Sequence, residues 1–176
     1  MTKFRIVNVV ATASLDQELD FGKLRKFKEI SHDPKVYGGR VANFKKTQMQ
    51  GRISLFCSGK MISVGTINEQ RAFDELELAM QFLTKKGLIK KVKLFPKIQN
   101  IVVTADFECD LILEQLAEHD KIIYEPEQFP GAILRIKEPH KTTVLIFASG
   151  KATITGLKSV EQISPTIKKL ESILMT

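Results

Sequence analysis

The sequence predicts an α+β fold in which antiparallel strands form a sheet and helices cover one of its faces. Three observations support this class. The chain of 176 residues repeats itself after about half its length, each half has several short β-branched segments between turn signals, and a longer amphipathic segment closes each half. We therefore expect two copies of one unit, related by pseudo-two-fold symmetry.

The repeat is most visible in two hexapeptides, LFCSGK at 55–60 and IFASGK at 146–151. At a shift of 92 residues, eleven of the 41 positions from Ile6 to Lys46 are identical without a gap. A repeat of this length is a duplicated domain, because solenoid units are much shorter. The sequence therefore predicts a first repeat over 1–92 and a second repeat over 93–176.

Each repeat contains the same series of elements. An apolar strand opens it, a short helix follows, and three further strands precede a closing helix. The Ser-Gly pairs of the hexapeptides fit tight hairpin turns. The predicted strands lie at 6–12, 40–45, 52–58 and 61–65, and at 98–104, 132–137, 142–149 and 152–156, with short helices near 20–30 and 111–119.

The closing helix has clear boundary signals in the first repeat. Asn68 is a suitable N-cap, and the run KKG at 85–87 is a suitable stop. The apolar stripe between them consists of Phe73, Leu76, Met80 and Leu83. In the second repeat Pro165 leaves two alternatives. The helix starts there with Ser164 as its cap, or it begins near Ser159 and kinks.

The composition is typical of an intracellular globular protein, and its charge mildly favours a polyanionic partner. Hydrophobic residues make up 43% and charged residues 27% of the chain, and no apolar run suits a bilayer span or a signal peptide. Two cysteines, Cys57 and Cys109, do not suggest a disulfide framework. The net charge of +7 favours a polyanion such as nucleic acid.

The strands predict a second apolar face that the helices do not cover. In NVVAT, Val9 and Ala11 point to one side while Asn8, Val10 and Thr12 point to the other. An exposed face of this kind meets a partner, which is either another sheet, a second copy of the chain or nucleic acid. The basic border favours nucleic acid, and it consists of Arg40, Lys45, Lys46, Arg52, Lys60, Arg135, Lys137, Lys141 and Lys151.

Nothing in the sequence predicts catalysis. It has no glycine-rich phosphate loop and no His/Cys spacing typical of a metal site. His32, His119 and His140 are scattered, and we interpret them as surface or loop residues. We therefore expect no enzyme activity, no cofactor and no metal.

Five motifs in order resemble the TATA-box-binding protein family. They are IVNVVATA at 6–13, IQN at 98–100, YEPEQFPG at 124–131, LIFASGK at 145–151 and TGLKS at 155–159. The resemblance covers residues 5–174, and YEPEQFPG is most similar to the archaeal branch. It implies a saddle with helices on its convex face. The concave, curved antiparallel sheet would bind the minor groove of A·T-rich promoter DNA, bend it and recruit a TFIIB-type factor to start transcription.

The resemblance also assigns roles to individual residues. Base-edge contacts are assigned to Asn8, Val10, Asn100, Val102, Leu145 and Thr155, and strand parity favours Leu145 over Leu55. The intercalating wedges are Tyr37 and Phe56 in the first repeat, and Phe129 and Phe147 in the second. Phosphate contacts are assigned to Ser58, Lys60, Arg135, Ser149 and Lys151. The acidic residues expected to hold the TFIIB-type factor are Glu125 and Glu127.

Further partners and a location follow from the same resemblance. RNA polymerase would join indirectly, and the protein would act as a monomer on DNA, with a homodimer of the free protein left open. It would work in the cytoplasm, at the nucleoid, in an archaeon and in the nucleus of a eukaryote.

The first repeat departs from the family pattern at several positions. Tyr37 replaces a phenylalanine, Asn43 stands where an arginine is usual, Val64 stands opposite Thr155, and the loop around KTQMQGR is longer than its counterpart. These changes predict weaker wedging and relaxed sequence preference where this repeat binds. They leave two other functions open: a divergent paralogue acting mainly through protein partners, and binding of other nucleic-acid shapes.

Overall fold

A computed structural model describes residues 2–174, and these divide into two compact units. The first unit comprises Asn8–Gln99, and the second comprises Met1–Val7 with Asn100–Thr176. The compact units differ from the sequence repeats because the opening residues of the chain cluster with the second half. The division at 92/93 concerns the sequence and stays a prediction.

The first unit contains an antiparallel sheet in the order β2-β3-β4-β5-β1. Its first strand begins in the second unit and enters the first at Asn8. The elements are β1 (Lys3–Ser14), α1 (Phe21–Leu24), β2 (Ile30–Ser31), a 3-10 segment (Val36–Gly39), β3 (Val41–Phe44), β4 (Arg52–Phe56), β5 (Lys60–Thr66) and α2 (Glu69–Lys85).

The second unit repeats this arrangement with the order β6-β10-β9-β8-β7. Its elements are β6 (Lys97–Asp106), α3 (Leu113–Leu116), β7 (Ile122–Ile123), β8 (Ala132–Ile136), β9 (Thr142–Ile146), β10 (Lys151–Leu157), a 3-10 turn (Val160–Gln162) and α4 (Ile163–Leu174). The predicted main strands are confirmed in both units, with end positions that differ by a few residues.

The predicted short helices are wrong in length, since α1 and α3 have four residues each. After α1 the chain continues through tight turns, in which Phe27 N–H donates to Leu24 and Ile30 N–H donates to Phe27. Ile30 then joins the edge strand β2. The helix therefore ends early because Ile30, at the end of the predicted helix, pairs with β3 instead. The sequence pattern did not predict the two-residue edge strands.

The predicted boundaries of α2 are confirmed. The Asn68 side chain accepts a hydrogen bond of 2.7 Å from the N–H of Arg71, as an N-cap does. The helix ends at Lys85, and Gly87 turns the chain away with φ of 66°. On the sheet side Leu76, Met80 and Leu83 are buried, as the apolar stripe predicted, whereas Phe73 is only partly so.

The second closing helix follows the alternative that begins near Ser159. A 3-10 turn over Val160–Gln162 leads directly into α4, so Ser164 does not cap it. Pro165 is the third residue of α4, where the helix needs no N–H from it. The hydroxyl of Ser159 hydrogen-bonds the Glu161 carboxylate and lowers its pKa.

A buried carboxylate joins α2 to the β3–β4 loop of the first unit. Glu75 is 2% exposed and accepts hydrogen bonds from the backbone N–H of Gln50 at 2.7 Å and of Gly51 at 3.1 Å. Arg71 lies 3.3 Å from the same carboxylate. The charge is therefore paired and its oxygens are bonded, which a buried carboxylate requires.

We expect Glu75→Ala to destabilise the chain by about 3 kcal/mol, because it leaves two backbone N–H groups and a cation without their acceptor. The measurement is urea unfolding. Asp74→Ala is the matched control, since the neighbouring Asp74 is exposed and, within residues 2–174, bonds only Gln70. Equal unfolding midpoints for the two variants would contradict the role of Glu75.

Candidate nucleic-acid interface

Each sheet packs its helices on one face and leaves the other face uncovered. In β1, Val9 and Ala11 are fully buried, while Asn8, Val10 and Thr12 are partly exposed. Because strand neighbours alternate, this separates a helix-covered face from an open face in each unit. The predicted second face is therefore present in both units.

The same parity decides between two candidate leucines. Leu55 is completely buried in the helix-covered face, whereas Leu145 is partly exposed on the open face. Ser54, next to Leu55, takes the open-face position in the first unit. Leu145 therefore lies on the open face and Leu55 does not, and the base-edge role of Leu145 stays a prediction.

The open faces mix apolar and hydroxyl side chains with one amide on each opening strand, Asn8 and Asn100, and a further amide, Asn43, on β3. In the first unit the partly exposed residues are Val10, Thr12, Val41, Asn43, Ser54, Phe56, Ile62 and Val64; in the second unit they are Val102, Thr104, Ile133, Thr143, Leu145, Phe147, Thr153 and Thr155. Asp106, the last residue of β6, has the same parity as Val102 and Thr104 and adds a partly exposed carboxylate to the second surface. Because the amide and hydroxyl groups can donate hydrogen bonds and the rest of the surface is mainly apolar, this composition suits a partner that offers acceptors and apolar groups.

The two amides are held in one orientation by the backbone. Asn8 Oδ1 accepts the N–H of Gly65 at 2.8 Å, and Asn100 Oδ1 accepts the N–H of Gly156 at 2.7 Å. The oxygen of each amide is therefore used inside the protein. The NH₂ group of Asn8 is left without a protein acceptor among the described residues, so it is free to donate outward.

Irregular strand pairing makes these hydrogen bonds possible. The register shifts between Val9 and Ala11 in the first sheet and between Ile154 and Leu157 in the second. At these points Gly65 and Gly156 adopt φ of 91° and 101°, which only glycine adopts readily. Each bulge thus turns a backbone N–H out of the ladder and towards the asparagine.

The two units differ beside these amides. Asn100 Nδ2 lies 3.1 Å from Thr155 Oγ1, which accepts from the amide, and the Thr155 hydroxyl lies 3.4 Å from Asn100 Oδ1, to which it can donate. In the first unit Val64 has no hydroxyl to do this. The second unit therefore has a hydroxyl beside its amide that the first unit lacks.

Two phenylalanines form a ring pair in the second unit. The centroids of Phe129 and Phe147 lie 5.9 Å apart in an edge-to-face arrangement. Gly131 lies beneath them, where a Cβ would approach a Phe129 ring carbon to 2.8 Å and a Phe147 ring carbon to 3.2 Å. The absence of a side chain at this glycine allows both rings to sit at the edge of the open face.

The Ser-Gly-Lys turns are built alike in both units. Gly59 and Gly150 have φ of 83° and 72°, and a Cβ on either would lie 2.0 Å from a backbone oxygen, of Gln17 or of Cys109. Each turn is thus pressed against the loop that follows the opening strand. The flanking polar residues Ser58, Lys60, Ser149 and Lys151 are all exposed, as phosphate-binding residues would need to be.

Strand register corrects the sequence alignment of the wedges. Ala42 pairs with Leu55, and Ala132 pairs with Ile146. Leu55 directly precedes Phe56, and Ile146 directly precedes Phe147 in the matching hexapeptide. Ala42 and Ala132, the residues paired with them, are therefore structurally equivalent. The structural shift between β3 and β8 is therefore 90 residues, two fewer than in the ungapped sequence alignment.

As a result Tyr37 does not occupy the position of Phe129. Phe129 stands three residues before Ala132, and the residue three before Ala42 is Gly39. Tyr37 lies at the tip of the preceding loop, 78% exposed, with φ of 51°. Among the described residues its ring contacts no other ring, so the expected pairing with Phe56 is not formed.

The same shift corrects the position compared with Arg135. Its structural equivalent is Lys45, not Asn43, because each follows the paired alanine by three residues. Lys45 donates from Nζ to the carbonyl oxygens of Gln50 at 2.9 Å and of Gly51 at 2.5 Å. Both residues are exposed, but the Lys45 ammonium group is hydrogen-bonded within its own loop.

The prediction that the KTQMQGR loop is the longer one is also wrong. Eight residues separate the paired residues Phe44 and Ile53, and nine separate Leu134 and Val144. The extra length of the first unit lies before β3: thirteen residues separate Ile30 from Phe44, against eleven between Ile122 and Leu134.

The acidic residues assigned to a protein partner lie in the shorter loop. Glu125 and Glu127 are exposed. The Glu125 carbonyl accepts the N–H of Gln128 at 2.9 Å and of Phe129 at 3.0 Å, which makes this a compact turn. Their carboxylates therefore project from an ordered loop next to the ring pair.

The comparisons with known proteins agree with this architecture. The family model described as "Transcription factor TFIID (or TATA-binding protein, TBP)" matches residues 3–86 and 95–176. The chain belongs to the TATA-binding protein family. The TATA-box-binding protein of Cenarchaeum symbiosum is 37% identical over 163 residues, 92% of this chain and 88% of the relative. That of Archaeoglobus fulgidus is 33% identical, with 99% of this chain and 96% of the relative covered.

A solved structure of the TATA-binding protein family matches the whole chain. The Methanococcus jannaschii TBP superimposes with a TM-score of 0.86 at 30% identity and covers 98% of both chains. The predicted α+β class and tandem repeat are confirmed by this match and by the two family-model matches. The family is one of transcription factors, so the prediction that the chain is not an enzyme is also confirmed.

The sequence reasoning missed basic residues of β1 in this TATA-binding protein family member. Lys3 and Arg5 are exposed and help line a shallow pocket of about 520 Å³ that also includes Thr104, Phe147 and Lys151. Lys3 bonds Glu108, which raises the pKa of the lysine. The available signal was a pair of basic residues at the start of the opening strand, β1.

Residues 2–174 contain no group of three or more His, Cys, Asp or Glu side chains that could hold a metal. Within the same range, none of the helices has the length and apolar character needed to cross a membrane.

Proposed function

We propose that this chain is a general transcription initiation factor that binds the minor groove of A·T-rich promoter DNA through the open faces of its two units. The observation that carries the proposal is the fixed orientation of Asn8 and Asn100, whose oxygens are bonded to glycine N–H groups. This leaves amide donors on a surface made mainly of apolar and hydroxyl side chains.

That chemistry matches the minor groove of A·T pairs. There the base edges present only acceptors, adenine N3 and thymine O2, while a G·C pair adds the protruding N2 amino group. Amide donors pair with the acceptors, and Val10, Val102 and Leu145 fill the remaining surface. A guanine amino group would instead be buried against apolar side chains without a partner.

The ring pair supplies the bending step. Phe129 and Phe147 stand together at the edge of the open face and can enter between two base pairs as a wedge. Unstacking one base step costs a few kcal/mol, and it is offset by the wider contact that bent DNA allows. Exposed cationic and hydroxyl side chains beside the wedges, Lys60, Arg135, Ser149 and Lys151 among them, bind the flanking phosphates.

We further propose that Glu125 and Glu127 bind a TFIIB-type factor, which brings RNA polymerase to the promoter. Their exposure in an ordered turn beside Phe129 supports this role. Because the relatives named above are archaeal, we place the protein at the nucleoid.

The test is energy transfer across a short A·T-rich duplex labelled at both ends, titrated with protein at two salt concentrations. We expect the ends to approach each other and the affinity to fall as salt rises, because phosphate contacts release counterions. A G·C-rich duplex of equal length is the control. Equal binding of the two duplexes would contradict minor-groove readout and favour recognition of other nucleic-acid shapes.

Asn8→Asp is a sharp test of the base-edge role. An aspartate oxygen can still accept the N–H of Gly65, so we expect an unchanged melting temperature. It has no donor and adds a negative charge, so affinity for the A·T-rich duplex should fall by about thirtyfold, equivalent to roughly 2 kcal/mol.

The matched control for this substitution is Asn68→Asp. It makes the same change of charge at the N-cap of α2, where aspartate caps equally well. Similar losses of affinity in the two variants would show that net charge, and not the amide, is responsible.

A second candidate is a paralogue that acts mainly through protein partners. The exposed Tyr37 ring and the engaged Lys45 favour it, because the first unit lacks two DNA contacts that the second unit has. A complex with the TFIIB-type factor in the absence of any DNA binding would support this candidate over the first.

A further inference from the structure

One pair of open-face side chains differs in chemistry between the two units. In the second unit Ile133 on β8 pairs with Leu145 on β9. In the first unit Asn43 on β3 pairs with Ser54 on β4. The two pairs correspond, because Asn43 and Ile133 each directly follow the structurally equivalent alanine of their strand. All four side chains are partly exposed, so a polar pair in the first unit takes the place of an apolar pair in the second.

The edge strands extend this difference by one residue. Ser31 on β2 pairs with Asn43, and Ile123 on β7 pairs with Ile133. Residues that are directly opposite in a ladder point to the same face of the sheet. The first unit therefore has a polar row, Ser31, Asn43 and Ser54, where the second unit has only aliphatic side chains.

A hydrogen bond orders the centre of the polar row. The Ser54 hydroxyl donates to Asn43 Oδ1 at 3.1 Å. Asn43 Nδ2 has no protein acceptor among the described residues, so its two protons are free to donate outward. The Ser54 oxygen keeps lone pairs that can accept. The pair thus presents a donor and an acceptor side by side on the open face.

This combination suits a G·C base pair in the minor groove. Compared with an A·T pair, a G·C pair adds one donor there, the guanine N2 amino group. Against Ile133 and Leu145 that amino group would lose its water without gaining an acceptor, which costs binding energy. Against the polar row, Ser54 can accept from the amino group while Asn43 donates to an acceptor of the base edge.

We propose that Asn43 and Ser54 make the first unit accept a G·C base pair that the second unit rejects. Ser54 Oγ accepts from guanine N2, and Asn43 Nδ2 donates to cytosine O2. The inference rests on the proposed minor-groove binding and specifies which DNA sequences that binding includes. The preferred sites are then A·T-rich but allow a G·C pair in the half that the first unit contacts.

The test compares three duplexes built on one self-complementary A·T core. The first contains A·T pairs only, the second has a G·C pair in one half, and the third has G·C pairs at both symmetry-related positions. The substituted position is moved through the half in successive sets of duplexes. A single G·C pair can always lie under the first unit, whichever way the protein binds, whereas two G·C pairs place one of them under the second unit.

We expect a clear difference between one and two G·C pairs at the position that faces the polar row. Titration by fluorescence anisotropy should give a loss of less than about threefold for one pair, and of about thirtyfold for two, equivalent to roughly 2 kcal/mol. Inosine pairs with cytosine but lacks the N2 amino group. Replacing guanine with inosine in the third duplex should therefore restore the affinity, which excludes duplex stiffness as the cause.

Exchanging the pairs between the units should exchange the preference. Asn43→Ile with Ser54→Leu copies the pair of the second unit, so one G·C pair should then cost about thirtyfold. Ile133→Asn with Leu145→Ser should instead reduce the loss caused by two G·C pairs. Each loss is a ratio to the A·T duplex with the same variant, so a change in overall affinity does not affect it. Ser54→Ala, which removes only the acceptor, gives the same test with a smaller change in the sheet.

A loss of about thirtyfold for one G·C pair at every position would overturn the inference, because the native first unit would then reject guanine as well. Unchanged ratios in both the Asn43→Ile, Ser54→Leu variant and the Ser54→Ala variant would also overturn it. In either case tight binding of the A·T duplex leaves the proposed function intact. Equal binding of all three duplexes by the native protein and by the exchanged variants would refute minor-groove readout, and the proposed function with it.

Discussion

Replacing both Phe129 and Phe147 with alanine is expected to abolish DNA bending. The double variant removes the only ring pair found at an open-face edge among the described residues. The end-to-end approach of a labelled A·T-rich duplex should then be lost. Affinity should fall at least tenfold, because the contact area gained by bending is lost with the wedge. Titration by fluorescence energy transfer measures both quantities at once.

Tyr37→Ala is the control for this experiment. Its ring is exposed at a loop tip and touches no other ring in the described part of the chain. We expect bending to stay within experimental error. If Tyr37→Ala reduced bending as much as the double variant does, the loop would have to rearrange on DNA, and the wedge assignment based on register would be wrong.

Gly150→Ala is expected to destabilise the protein strongly. A Cβ there would lie 2.0 Å from the Cys109 carbonyl oxygen, which is backbone and cannot rotate away. The residue also has φ of 72°. We expect a loss of about 3 kcal/mol, and hence a melting temperature lower by about 10 °C for a chain of this size.

Gly87→Ala provides the comparison, because that glycine has φ of 66° but nothing within 4 Å of an added Cβ. We expect this substitution to lower the free energy of unfolding by about 1 kcal/mol, the cost of backbone strain at a positive φ alone. Thermal unfolding of the two variants distinguishes the loss of stability caused by the close approach from the loss caused by backbone conformation. Equal losses would show that the Ser-Gly-Lys turn is not pressed against its neighbouring loop.

The sequence alone predicted the repeated unit, the strands and the two faces of the sheet. Alternation in NVVAT was enough to place Asn8 and Val10 on the open face, because successive strand residues point to opposite sides. The caps of α2 were equally readable, since Asn68 and Gly87 act through local backbone chemistry. The motifs that resemble the TATA-box-binding protein family were contiguous, so they needed no knowledge of tertiary contacts.

Only the tertiary structure decided what each open face contains. The orientation of the Asn8 amide depends on Gly65, a residue 57 positions away that meets it through a strand bulge. Neither the bulge nor the hydrogen bond leaves a local pattern in the sequence. The free donor on this surface therefore could not be deduced without the fold.

The first unit shows most clearly that a sequence pattern does not determine strand register. Side chains alternate with a period of two along a strand, so a shift of one residue would expose the buried Ala42 and Phe44 and would be visible in the sequence. A shift of two residues keeps every side chain on its face and leaves the pattern unchanged. The sequence therefore determined which residues face outward. Only the hydrogen-bonded pairing of β3 with β4 decided that Gly39, and not Tyr37, is the structural equivalent of Phe129.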